Sequence, residues 1–166
     1  MNDNFIPYRD IPFDKDFRDF MKNYDIPELN ITIDIHQDPT ASLKLYLVFQ
    51  NISSEEIMLL FDSTDHDVAS SLTIWDLNGL IVEQKFMNRG SYVLSYDSKA
   101  FHRIAPGGEY QYELAVVAAE NLVFFAHRPY PLQSGETYDV QYRYPFSKHD
   151  RRSNRIRWTV PSKREI

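Results

Sequence analysis

The chain contains no cysteine. That excludes a disulfide-stapled scaffold and a thiolate metal site, and it fits a reducing compartment. No segment approaches the roughly 20 consecutive apolar residues needed to cross a bilayer as a helix, so no membrane partner is expected. The opening residues, MNDNFIPYRDIPFDKDF, lack a basic stretch followed by an apolar one. No secretory signal is therefore expected, and the cytoplasm is the expected compartment. Asn30-Ile31-Thr32 and Asn51-Ile52-Ser53 have the form of glycosylation sequons, which would matter only in a secretory pathway.

Catalytic signatures are missing as well. His36, His102, His127 and His149 are scattered, and neither HExxH nor a GxSxG nucleophile elbow occurs. No cofactor motif is present, so none is expected, and the chain reads as non-enzymatic. A hydrolase whose residues assemble across the fold is a reading without a motif of its own. The one dense carboxylate-plus-imidazole group is DSTDHDV, with Asp62, Asp65, His66 and Asp67. It lacks EF-hand spacing and the ligands that zinc prefers, and its composition suits a polar loop, so no metal is expected.

What is present points to β structure. Aromatic residues make up 14% of the chain, and only five glycines occur in 166 residues; large rings suit a pleated, half-buried surface. From Leu29 the apolar period is two: LNITIDIH and SLKLYLVFQN each place their large aliphatics on one face. EIMLLF, SYVLSY, the run from Glu109 to Val116, ETYDVQYRY and RIRWTV read as further strands. SLTIWDL and LIVEQKF flank Asn78-Gly79, a two-residue hairpin pattern in which both positions tolerate positive φ. A helical turn is expected near residues 118–122, in the least regular stretch, and a loop over residues 145–154. Ahead of the strands, Phe13, Phe17, Phe20, Met21 and Tyr24 recur at helical spacing. They predict a short helix at about residues 14–24, ending before Pro27. The expected organisation is an arm, residues 1–28, and one all-β domain, residues 29–166. That domain is expected to be an Ig-like or fibronectin-like antiparallel β-sandwich.

LQSGETY has the form of a tyrosine corner, the link that pins a chain crossing between sheets. Leu132 is expected to plug the core, Gly135 to allow the turn, and Tyr138 to donate its hydroxyl to an upstream carbonyl. IAPGGEY repeats the offsets with Ile104, Gly107 and Tyr110. Together with LKLYLVFQNISSEEIMLLF, SLTIWDLNGLIV and SGETYDVQYRY, it resembles the bacterial intracellular serine-proteinase inhibitor family, over about residues 43–144. The resemblance implies a small Ig-like sandwich whose partner is a protease.

Charge is unevenly distributed. From Gln141 onward eight Lys/Arg face two Asp/Glu, a balance of +6, while residues 1–140 carry ten against twenty-two, or −12. The net charge of −6 and the lack of an RNP motif argue against a nucleic-acid partner. The basic segment YRYPFSKHDRRSNRIRW places Lys148, Arg151, Arg152 and Arg155 at a last hairpin loop. Arg143 and Arg157 lie on its flanking strands, with Tyr142, Tyr144 and Trp158 interleaved. Arginine beside aromatic rings is the usual composition of a binding hot spot, though a charged loop over core aromatics has the same residues. Alternation turns Trp75 outward, where it is free to stack on a sugar, to anchor a partner, or to be covered by the arm. The expected function is protein binding to an acidic partner surface through the basic hairpin, with proteinase inhibition as the special case that the resemblance suggests. The alternative is a carbohydrate- or small-ligand-binding module that uses Trp75 and surface tyrosines.

Overall fold

The computed structural model describes residues 28–61, 68–69, 71–85, 101–144 and 150–162. The predicted helix at 14–24, the strand SYVLSY, the Asp62, Asp65, His66 and Asp67 group, Lys148 and His149 lie outside these residues. The described chain is all-β. Its strands are β1 (Leu29–Gln37), β2 (Leu43–Asn51), β3 (Ile57–Leu60), β4 (Leu72–Trp75), β5 (Phe101–Ile104) and β6 (Glu109–Ala118). There follow β7 (Val123–Phe125), β8 (Arg128–Tyr130), β9 (Thr137–Tyr144), β10 (Arg151–Arg152) and β11 (Ile156–Thr159).

All pairings are antiparallel. One sheet runs β1-β2-β6-β7-β8; a second has β9 at its centre, with β4 on one side and β10 and β11 on the other; β3 and β5 form a separate ribbon. Alternation decides which face of each strand is buried. Leu29, Ile31, Ile33 and Ile35 of β1 and Leu45, Leu47 and Phe49 of β2 point into one core, with Tyr138, Val140, Tyr142 and Tyr144 of β9 facing them. Phe49 meets Tyr142 and Tyr144 at ring centroids of 5.9 and 6.0 Å, and Phe125 meets Trp158 at 6.2 Å. Two sheets with their apolar faces in contact are consistent with a β-sandwich.

Several local expectations are corrected. Residues 118–122 form no helical turn: Ala119 N–H donates to Leu122 O at 2.7 Å, closing a tight link between β6 and β7. The stretch read as least regular is therefore a pair of hairpins. At Asn78-Gly79 the turn is longer than two residues. Gly79 N–H donates to Asp76 O and Asp76 N–H to Leu80 O, so only Gly79 needs positive φ, here +82°. The Asp76 carboxylate caps the turn by accepting from the N–H groups of Asn78 and Leu80 at 2.9 and 3.0 Å. Among the described residues its second arm forms one bridge, Trp75 to Ile81.

The Leu132 corner is built as expected in position but with opposite polarity. Leu132 is fully buried and Gly135 has φ +79°, but the Tyr138 hydroxyl accepts from Gln133 N–H at 3.0 Å. The group left over by the turn is an amide donor, so the tyrosine satisfies a donor. At the second copy Ile104 is buried and Gly107 has φ +75°, whereas the Tyr110 ring lies flat on His102 with centroids 4.1 Å apart. Asn51 pins this crossing. Its side chain, with no exposed surface, donates to Glu55 O at 2.7 Å and to Ile104 O at 3.0 Å. It accepts from Ser53 N–H at 2.9 Å and from Ser53 Oγ at 2.6 Å. The Asn51 backbone also exchanges bonds with Gly107 and Gly108. One asparagine thus joins the end of β2, the approach to β3, the end of β5 and the turn before β6.

Candidate functional site

The expected loop over residues 145–154 ends early, because Arg151 and Arg152 already pair with Tyr144 and Arg143 as β10. Three residues, Ser153, Asn154 and Arg155, then oppose two on β9, Tyr142 and Gln141, before the register resumes at Ile156 and Val140. This extra residue is a β-bulge. Buried Ser153 closes it: its Oγ accepts from Tyr142 N–H at 2.9 Å, and its N–H donates to Tyr142 O at 2.8 Å.

The bulge re-aims two side chains. Asn154 turns toward β1 and behaves like a strand partner, its Oδ1 accepting from Ile33 N–H at 2.8 Å and its Nδ2 donating to Ile33 O at 3.4 Å. That bond pair covers part of an edge strand which otherwise presents a template for foreign strands. Arg155 turns the other way and crosses the outer face of the sheet. Its guanidinium carbon stands 3.7 Å from the centroid of the Trp75 ring, and Nη2 donates to Asp139 Oδ2 at 3.3 Å.

Strand register places the rest. Trp75 of β4, Asp139 of β9 and Arg157 of β11 lie side by side across the sheet. Arg157 Nε donates to Asp139 Oδ1 at 3.0 Å. Next along, Arg143 and Arg152 are cross-strand neighbours and share Asp150, at 3.1 and 2.9 Å. Four arginines against two aspartates leave this face at +2. The bond from Arg157, helped by Arg155, holds the Asp139 carboxyl below the ordinary carboxylate range although burial pulls the other way. The arginine heads remain accessible: Arg157 is 68% exposed and Arg143 62%, so these are solvent-screened surface pairs that leave the guanidinium groups open to a partner.

Of the residues singled out in the sequence, Arg143, Arg152, Arg155, Arg157 and Trp75 thus share one face. Arg151 alternates to the other side of β10 and is half-buried. Tyr142, Tyr144 and Trp158 do not interleave with the arginines at the surface; they are core residues. Sequence reasoning missed Leu77, Leu80 and Ile81, which are 59%, 65% and 62% exposed on the hairpin after Trp75. Their signal was a run of aliphatics around a turn, which reads equally well as a buried strand pair.

The opposite sheet carries a different surface. On the outer face of β1, β2 and β6, His36 stacks on Tyr46 at 4.2 Å and bonds Asp34 at 2.8 Å, while Lys44 bridges Asp38 and Glu113. A depression there is lined by Tyr46, Leu47, Val48, Gln111, Tyr112 and Glu113. Among the described residues no group of three or more metal-ligating side chains occurs, and no helix is long and apolar enough to cross a membrane. No protein-family model matches the chain, and no curated protein matches it in sequence.

Proposed function

We propose that the chain is a non-enzymatic, Ig-like protein-binding module of the cytoplasm that engages an acidic partner surface through the outer face of β4, β9, β10 and β11. The observation that carries the reading is the Arg155 guanidinium lying on Trp75 with Arg157 alongside. Tryptophan and arginine dominate binding hot spots because a flat ring and a planar cation bury much area at little entropic cost. A net-positive face selects carboxylates and speeds encounter with them. The strand order β1-β2-β6 opposite β4-β9-β11, with the Tyr138 link between, supports the Ig-like type. Proteinase inhibition is the special case suggested by the family resemblance.

Two measurements test this. Capture of a partner by the full chain should weaken as salt rises and disappear in R152E/R155E/R157E; capture that survives both refutes the basic face. Residual activity of a subtilisin-like protease with excess protein tests inhibition directly, and undiminished activity removes that special case.

A second reading, carbohydrate or small-ligand binding, is favoured by the depression beside Tyr46 and not by Trp75, one ring face of which Arg155 occupies. Titration with an oligosaccharide panel should then shift the Tyr46 ring resonances; an unmoved spectrum ends that reading.

A further inference from the structure

We propose that the aliphatic hairpin tip formed by Leu77, Leu80 and Ile81, with Trp75 and Arg155 beside it, seats the chain's own acidic, aromatic N-terminal arm, residues 1–27. Single exposed aliphatics are normal, but clustered ones mark an interaction surface. Of the five large hydrophobics most exposed among the described residues, three fall within Leu77, Leu80 and Ile81, the others being Ile52 and Val117. Ile81 bridges to Trp75, whose side chain faces outward, so the apolar tip continues onto the sheet and ends against Arg155 and Arg157. An occupant must therefore present apolar rings with carboxylates beside them.

The arm has this composition. Residues 1–27 carry six aspartates against four Lys/Arg, a balance of −2 opposite the +2 of the arginine face, and six aromatic residues. Phe13, Phe17 and Phe20 recur at spacings of four and three, with Asp14, Asp16 and Asp19 between them. The arm enters the body at Leu29, and β1 is joined by Asn154 to the sheet that bears the arginines. Twenty-seven residues reach up to about 90 Å when extended, against roughly 25 Å for an eight-residue strand. Reach is not limiting, and tethering raises the effective concentration so that even a weak contact is populated. A partner for the arginine face would have to displace the arm, but the arm's docking does not depend on any partner.

The cysteine-free chain makes the test direct. In the 166-residue chain, L80C is the sole thiol, and its rate of reaction with a small aromatic disulfide reports coverage. The rate should be about tenfold slower with the native arm than with F17D/F20D. Added salt should speed the first and leave the second unchanged. An I52C control should react alike with either arm. Equal L80C rates with both arms overturn the proposal. A rate that falls as protein concentration rises assigns the surface to a second copy and overturns it equally. If L80C disturbs the fold, acrylamide quenching of Trp75 in the chain without a thiol reads the same contact, since Trp158 is buried. Quenching that does not rise in F17D/F20D refutes it. Loss of partner capture leaves these rates untouched, so the two readings fail separately.

Discussion

Replacing Asn51 by alanine tests the idea that one buried amide holds three strand ends together. The change removes both donated bonds, to Glu55 O and Ile104 O, and both accepted ones from Ser53. The Ile104 contact is buried, so its carbonyl loses its partner where water does not replace it, at about 1–3 kcal/mol. The other three are partly wet and add roughly 0.5 kcal/mol each. The sum is about 2.5–4.5 kcal/mol, a large share of the roughly 5–15 kcal/mol that a domain has, and should lower Tm by roughly 5–18 °C. Urea unfolding followed by far-UV circular dichroism measures it. Asn51→Asp should be at least as damaging at neutral pH, because it sets a carboxylate oxygen against two carbonyls. It should recover as the pH falls and the acid regains a donor. Ile52→Ala, one residue away and 57% exposed, should stay within about 0.5 kcal/mol. If Asn51→Ala and Ile52→Ala shift the midpoint alike, the node does not hold the fold and the reasoning fails.

Tyr138→Phe should cost about 1 kcal/mol in the same assay, since the partly buried Gln133 N–H loses its acceptor while the ring stays packed; no loss would show that the corner is ornamental. Asn154→Ala should release the β1 edge at Ile33, seen as faster hydrogen exchange at that amide, and unchanged exchange would refute the strand-mimic reading. Burial lowers the His102 pKa, against the opposing bond to Phe61 O. Below about 6.5 the unfolded chain therefore takes up a proton that the folded chain resists. Stability is full above that pH and declines as pH falls toward the folded value. His102→Phe should flatten this part of the profile of urea midpoint against pH, and identical profiles would remove the assignment.

The arginine face could be read only in part from sequence. Period-two alternation in LNITIDIH, SLKLYLVFQN and ETYDVQYRY determined which side chains face the core. In a strand, parity alone sends each residue to one side, so Trp75 was placed outward correctly. The positive φ at Gly79, Gly107 and Gly135 was likewise local chemistry, because turns that no side chain tolerates well select glycine. Composition could not settle where a strand stops. Arg151 and Arg152 looked like loop because their segment is polar, but pairing with β9 makes them strand, and Tyr142, Tyr144 and Trp158 became core through the sheet opposite. The most consequential residues were hidden for the same reason. Asn51 resembled half of a chance sequon and Asn154 a solvated loop residue, since an amide's partners lie on strands distant in sequence: Ile104 is 53 residues away and Ile33 is 121. Sequence alone set the β pattern, the turn glycines and the split of charge. Tertiary structure decided which polar groups are buried and paired, because satisfying a buried donor or acceptor depends on what folding brings within 3 Å.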